Sequence, residues 1–358
     1  MTGPFARLDG HEQVIYGADA ESGLRCIIAI SSTALGPALG GTRFYPYASE
    51  GEALTDVLRL SRAMTFKAAV AGLDVGGGKA VIIGNPRTHK TEGLLRAYGR
   101  MVESLNGRYV TACDVGTTPA DMALVGRETR WATGASPLAG GSGDSGILTA
   151  HGAYVGLRAC VERVWGTGAL AARHVAIQGV GKVGRRLAGL LAADGVKLSV
   201  SDTDDEAAAW CAERYGAQVV PLDEIAAIDA DVFSPNALGA AIDDASLPRL
   251  QCRVVAGAAN NQLAEARHGV ALADAGILYA PDFVINAGGL IQVADELHPR
   301  GYSEARARAR VEGIADRLHE VFALGEELRV PPSEAADLLA ARRIAAIGRL
   351  RSYWLPAR

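Results

Sequence analysis

The sequence predicts an α/β protein of two domains, an N-terminal α/β domain followed by a Rossmann dinucleotide-binding domain. Three observations carry that expectation. The chain has 358 residues, a length that suggests two domains. Strand-like apolar runs alternate with amphipathic helical stretches, the pattern of an α/β layer. A Gly-rich turn, Gly179-Val180-Gly181-Lys182-Val183-Gly184, stands between an apolar strand and a helix, with Asp202 twenty-three residues after its first glycine.

In chain order, residues 12–47 alternate and read as a strand pair followed by a Gly/Pro-rich loop, LGPALGGTRFYPY. Residues 50–71 read as a helix with Leu54, Val57, Leu58, Leu60 and Met64 on one face. Strands at 80–83 and 109–112 flank a helix at 91–105. Residues 139–146, AGGSGDSG, form the clearest linker and a candidate hinge before a helix at 148–164. A regular β-α-β series follows: strand 174–178, helix 182–193, strand 197–201 and helix 205–215. Short strands are expected near 231–233, 254–256 and 277–279, and two terminal helices at 303–325 and 333–350. The expected substrate domain is 1–145, with 326–358 packing back on it, and the dinucleotide domain is 146–325.

Composition excludes several classes. The formal net charge is -4 and no basic run occurs, which argues against a nucleic-acid partner. Five cysteines, an odd number without a CxxC pair, fit reduced thiols in the cytoplasm and not a disulfide framework. The seven histidines show no ligand spacing, so no metal is expected. The first residues lack a basic segment followed by an apolar one, and no run of 18 apolar residues occurs, so neither a signal peptide nor a membrane span is read.

In the Gly-rich turn, Gly179 permits the tight bend, Gly181 lets backbone approach a pyrophosphate, and Gly184 lets helix pack on strand. The helix N-terminus then faces the phosphates with N–H groups and a partial positive charge. Asp202 ends the second strand, where a carboxylate hydrogen-bonds ribose hydroxyls. Asp204 and Asp205 follow it, with no Arg beside them, a cluster that would repel the extra phosphate of NADP and favour NAD.

The segment TFKAAVAGLDVGGGKAV holds Lys67 and Lys79. Gly76-Gly77-Gly78-Lys79 is not a phosphate loop, because Leu73 and Ala80 stand where Gly and Ser/Thr are required. Three glycines opening a buried strand suggest instead a close backbone approach to a ligand. A desolvated Lys79 can polarise a carbonyl or handle protons, and Lys67 could clamp a carboxylate. Solvent exposure of both lysines is the bland alternative. Asp114 ends a strand, where functional side chains of α/β sheets sit, and is a candidate proton shuttle, or simply a turn residue. Cys113 is read as packing.

Together these segments resemble the amino-acid dehydrogenase family that contains glutamate, leucine, phenylalanine and valine dehydrogenases. The matching stretches are LGPALGGTRFYPY, GLDVGGGKAV, TACDVGTTPADM, QGVGKVG, VVAGAANNQLA and GILYAPDFVINAGG, in family order from about residue 11 to about 345 and closest to the valine and leucine branch. The resemblance implies reversible NAD-dependent oxidative deamination of an L-amino acid to a 2-oxo acid and ammonia, in a homo-oligomer, with the active site in a cleft between the domains. It implies that Lys67 binds the substrate carboxylate beside Gly40 and Gly41. Lys79 is then the catalytic lysine that activates water, and Asp114 the acid/base at the amino nitrogen. Thr149, Asn260 and Asn286 match positions near nicotinamide and substrate.

The side-chain pocket of the family corresponds to Leu39, Ala112, Leu290 and Val293, all apolar. The glutamate branch is expected to carry a lysine at Leu39, so glutamate should be rejected. The expected substrate is a branched-chain L-amino acid, valine preferred over leucine and isoleucine, although valine and leucine differ by one methylene, worth only ~1–3 kcal/mol in such a pocket. A phenylalanine-type enzyme and a non-catalytic NAD-binding regulator are the alternatives. The chain departs from the family pattern in two places. Asn236 stands where Cys is frequent, which puts cofactor contacts there in question, and Gly146 replaces a bulkier hinge residue.

Overall fold

A computed structural model describes residues 8, 10–237 and 239–350. The chain divides into two compact units, Met1–Ser145 with Gln292–Glu304 and Ala340–Arg358, and Gly146–Ile291 with Ala305–Leu339. The first break falls at the Gly/Ser-rich stretch, between Ser145 and Gly146. The later part of the chain is shared differently from the sequence expectation. Residues 292–304 belong to the first unit, and the second extends to Leu339. Residues 351–358, expected in the first domain, lie outside the described residues, as does Leu238.

The first unit begins with a hairpin, β1 (Gln13–Asp19) and β2 (Leu24–Ser32), then β3 (Ala38–Tyr45), α1 (Glu50–Val70) and β4 (Gly76–Ile83). Helix α2 (Glu92–Glu103), β5 (Tyr109–Cys113) and α3 (Pro119–Val125) follow. The five strands order β1-β2-β4-β3-β5, with β4, β3 and β5 parallel. One expectation fails here. Residues 38–45, read as loop, form a strand at the second position from the sheet edge. It is buried on both faces, so its sequence has no alternation to betray it.

The face of α1 turned inward is also not the one expected. Ala53, Val57, Ser61, Thr65 and Ala68 are buried at helical spacing, whereas Leu54, Leu58, Leu60 and Met64 are only half-buried. Small residues lead because the helix lies close to β4: a Cβ on Gly77 would stand 2.1 Å from the Thr65 amide nitrogen. The opposite face of the sheet carries the main core, where Ile28, Ile30, Phe44, Ala80 and Ile82 pack against Leu94, Leu95, Tyr98 and Val102 of α2.

The second unit starts with α4 (Gly146–Trp165) and then alternates β6 (His174–Gln178), α5 (Gly184–Ala193), β7 (Lys197–Ser201), α6 (Asp205–Tyr215), β8 (Gln218–Val219), β9 (Val232–Pro235), β10 (Val254–Val255), α7 (Arg267–Asp274) and β11 (Leu278–Tyr279). All strands are parallel, in the order β11-β10-β9-β6-β7-β8. That is the doubly wound Rossmann order, with its topological switch point between β6 and β9. Short α8 (Asp282–Ile285) and α9 (Gly288–Asp295) follow. The terminal helices are α10 (Glu304–Glu312), α11 (Ile314–Leu328) and α12 (Pro332–Leu350). The expected helix at 303–325 is interrupted at Gly313.

Candidate active site

Strands β3, β4 and β5 position the chemistry of the first unit. In the register Leu39 pairs with Gly77, Thr42 with Ala80, and Gly41 with Ala112. Paired residues of parallel strands share a face, and side chains repeat every second residue. Leu39, Arg43, Lys79, Ala112 and Asp114 therefore lie on one side of the sheet, the side that α1 covers. Lys79 Nζ meets Asp114 Oδ2 at 2.8 Å, with the lysine side chain 7% exposed and the aspartate 23%.

The pair reaches across β3, and glycine at 41 is what permits it. A Cβ there would stand 2.9 Å from Asp114 Cβ and 2.4 Å from the Cys113 carbonyl oxygen. Gly40 has a related reason, since its Cβ would fall 1.7 Å from the Gly78 carbonyl oxygen. The glycines before Lys79 have close neighbours within the chain. What comes close is the chain itself, Thr65 of α1 at Gly77 and the Tyr109 ring, 2.7 Å from a Cβ on Gly78. The strand is held from behind by a buried hydroxyl cluster. Thr42 Oγ1 lies 2.5 Å from both Tyr98 OH and Thr111 Oγ1, and Tyr109 OH donates to the Gly40 carbonyl at 2.6 Å.

Lys79 is desolvated, as the sequence reading expects, and not solvent-exposed; the structure adds a counter-ion. Asp114 has a second cation in Arg43, whose Nε lies 3.2 Å from Oδ2. Burial pushes the Asp114 carboxyl up, but Lys79 and Arg43 outweigh it and hold the group below the ordinary carboxylate value. Arg43 and its further partner Asp56, 2.7 Å from Nη1, were missed by sequence reasoning, because the strand carrying Arg43 was read as loop. Lys67 lies half-buried in the last turn of α1, Leu39 and Ala112 are buried, and Val293 is buried in the same unit. Leu290 is buried in the second unit.

Sequence reasoning also missed Glu296. Its carboxylate accepts from the Gly134 amide at 3.0 Å and the Ser142 amide at 2.8 Å, tying the Gly/Ser-rich stretch and the residues ahead of it to the end of α9. Burial pushes its carboxyl up. Nothing local signals this role, because the partners are more than 150 positions away.

In the second unit the Gly-rich turn connects β6 to α5 at the switch point. Gly179 has φ +91°, and its Cβ would stand 2.7 Å from that of Ala237. A Cβ on Gly184 would stand 2.0 Å from the Gly179 carbonyl oxygen, whereas one on Gly181 would meet nothing within 4 Å. The first and third glycines thus serve the fold, and the second leaves open space where a ligand backbone can approach. Val180 is buried and its amide donates to Asp202 Oδ2 at 2.7 Å, which orients the carboxylate beside the turn. The helix cap is Asp204, which accepts from Glu206 and Ala207, so Asp202 is not used as one. Lys182 and Val183 complete the turn.

Asn286, 3% exposed, donates to Asn260 Oδ1 at 2.8 Å, and its own Oδ1 is buried with no hydrogen-bond partner among the described residues. An amide N–H of a ligand would satisfy that atom. Thr149 is half-buried on α4. Asn236 donates to Ser234 O and Oγ, both at 2.9 Å, and accepts from the Ala258 amide at 2.9 Å. Its polarity is used in stapling the ends of β9 and β10. Gly146 is the buried first residue of α4. The open Gly181, the oriented Asp202 and the unsatisfied Asn286 oxygen all fit a dinucleotide carrying a carboxamide.

Two domain profiles match the chain, the Glu/Leu/Phe/Val dehydrogenase dimerisation domain over residues 11–131 and the glutamate/leucine/phenylalanine/valine dehydrogenase domain over 207–351. The chain is 53% identical to a valine dehydrogenase of Streptomyces coelicolor over 339 residues, covering 94% of this chain and 93% of that protein. It is 49% identical to a leucine dehydrogenase of Geobacillus stearothermophilus over 345 residues, 96% of this chain and 94% of that one. Among solved structures, L-tryptophan dehydrogenase from Nostoc punctiforme superposes with a TM-score of 0.83 at 44% identity, covering 96% of this chain and 98% of that chain. A buried Lys–Asp pair bridging a glycine strand, a Rossmann sheet with its open glycine, and likeness along nearly the whole chain agree: this protein belongs to the glutamate/leucine/phenylalanine/valine dehydrogenase family.

Proposed function

We propose that the protein catalyses the reversible oxidative deamination of a branched-chain L-amino acid, valine ahead of leucine and isoleucine, with NAD. The balanced reaction is amino acid plus NAD plus water giving the 2-oxo acid, ammonium, NADH and a proton. The observation that carries the reading is the Lys79–Asp114 pair, on one sheet face with apolar Leu39 and Ala112. Identity near 50% to valine and leucine dehydrogenases supports it.

In this reading Lys67 holds the substrate carboxylate beside Gly40 and Gly41. Asp114, a carboxylate at working pH, takes a proton from the amino nitrogen. NAD, when bound, supplies the acceptor for the hydride of the α-carbon. Lys79 orients the water that attacks the resulting iminium and stabilises the oxygen that becomes the carbonyl. Gly181 admits the pyrophosphate and Asp202 takes ribose hydroxyls, a position where the phosphate of NADP would meet a carboxylate. Asn260 and Asn286 hold the carboxamide end. Leu39, Ala112 and Val293 of the first unit receive the aliphatic side chain. Five cysteines without disulfides among the described residues fit a reducing cytoplasm, and the dimerisation-domain match fits a homo-oligomer.

Initial rates of NADH or NADPH formation with valine, leucine, isoleucine, phenylalanine, tryptophan and glutamate test the proposal. Aliphatic substrates with NAD give the highest kcat/KM. Glutamate is weaker by roughly a thousandfold, about 4 kcal/mol for an uncompensated buried carboxylate. Valine and leucine lie within roughly 200-fold of each other. A preference for glutamate, for an aromatic acid or for NADP would overturn the corresponding part. NADH binding without turnover on any of them would point to a binding protein.

A further inference from the structure

The geometry points to Arg43 as a positioning residue that holds the Asp114 carboxylate beside Lys79 and thereby sets the acid limit of turnover. This inference rests on the proposed role of Asp114 as the proton acceptor. Arg43 was given no function by the sequence. It stands at the site end of β3, two residues past Gly41, and so on the face that carries the Lys79–Asp114 pair.

Both cations converge on one oxygen. Asp114 Oδ2 receives Lys79 Nζ at 2.8 Å and Arg43 Nε at 3.2 Å. The far end of the guanidinium is anchored as well. Its Nη1 lies 2.7 Å from Asp56 Oδ2 on α1, the oxygen to which Tyr47 OH also donates at 2.7 Å. Burial pushes the Tyr47 hydroxyl up, so it stays protonated and remains a donor. Arg59 holds the other Asp56 oxygen at 3.2 Å. Arg43 is therefore pinned from both sides, and a planar fork fixed at two carboxylates has one orientation to offer. Asp56 thereby orients Arg43, and Arg43 orients Asp114.

The remaining charges nearby do not replace it. Asp121 of α3 is engaged by Lys90 at 2.7 Å. Tyr98 and Tyr109 are kept neutral by burial. Arg62 and Lys67 are the other cations of that stretch of α1. Without Arg43, Asp114 keeps only Lys79, and the cluster of Lys79, Arg59, Asp114 and Asp56 loses its positive surplus. A proton would then be retained on the pair to higher pH, because a lost positive charge favours protonation. The pair titrates as a unit, so the shift would be read in its acid limb whichever member is assigned.

The test is the pH dependence of kcat and kcat/KM for wild type, Arg43→Gln, Arg43→Lys and Asp114→Asn, with NAD and the best substrate of the amino-acid panel. The acid limb of Arg43→Gln is expected to move up by roughly one pH unit. Its loss is then about tenfold on the acid side of the wild-type limb and shrinks as pH rises. Arg43→Lys keeps the charge without the fork, so its limb lies between those of wild type and Arg43→Gln. A loss of equal size at every pH, with the limb unmoved, would mean that Arg43 only supports the fold and would overturn the inference. Should Arg43→Gln lose NADH binding through misfolding, Arg43→Lys decides by the same comparison. Asp114→Asn separates the two levels of the argument. If it keeps wild-type turnover, the role of Asp114 falls and the inference with it. If it is inactive while the Arg43 limbs stay in place, the inference alone falls.

Discussion

Lys79→Ala lowers kcat by roughly 10²- to 10⁴-fold, the range for removing a positioned proton-handling group, and leaves NADH affinity within about threefold of wild type, since the proposed dinucleotide turn belongs to the other unit. The lysine is buried and paired at 2.8 Å, so nothing from solvent takes its place. Arg43 remains against Asp114, and the variant should therefore still fold. The stability it loses has a defined pH dependence. The Asp114 carboxyl is depressed in the native protein, so its contribution is present above the ordinary value of 3.8 and is lost as pH falls through the native value. The gap in stability between wild type and Lys79→Ala closes on that acid side. Single-turnover kinetics, NADH fluorescence titration and melting curves measured against pH check the three statements. Unchanged turnover would remove Lys79 from the mechanism.

Alanine substitution at two glycines should have opposite consequences. At Gly40 the added methyl would stand 1.7 Å from the Gly78 carbonyl oxygen, in backbone that cannot rotate away. Strands β3 and β4 would have to separate exactly where Lys79 and Asp114 are brought together. The expected cost is above about 4 kcal/mol, against a whole stability of roughly 5–15 kcal/mol. Gly40→Ala should melt roughly 10 °C or more below wild type, or fail to accumulate as folded protein. At Gly181 the same methyl meets nothing within 4 Å. Gly181→Ala should melt like wild type without cofactor and bind NADH at least about tenfold more weakly, because the methyl occupies the space left for the pyrophosphate. Calorimetry with and without NADH distinguishes the two. A stable Gly40→Ala would contradict the packing account, and undiminished NADH binding by Gly181→Ala would contradict the assignment of the turn.

The readable parts of this molecule were those whose signal is local. Strands His174–Gln178 and Lys197–Ser201 and helix Asp205–Tyr215 have the bounds that their periodicity indicates. The Gly-rich turn is legible because its glycine spacing, between an apolar strand and an amphipathic helix, is itself a short-range pattern. Strand β3 was hidden: a strand covered on both faces has no alternation, and its glycines imitate a loop. The buried face of α1 was hidden because the spacing between helix and sheet, set by Gly77, selects small residues over the larger leucines beside them.

The sequence by itself determined the α/β class, the Rossmann unit with its Gly181 and Asp202, and the candidate residues Lys67, Lys79 and Asp114. These follow from short-range patterns of polarity and glycine, which a chain displays before it folds. Only the tertiary structure decided what those residues meet. Lys79 is paired, Asp114 carries two cations, Arg43 is pinned between two aspartates, and Glu296 ties together segments far apart in the chain. The physical reason is that ionisation and positioning depend on distance and burial. Both are set by strand register across β3, β4 and β5, which joins residues about seventy positions apart and leaves no trace in the neighbourhood of either.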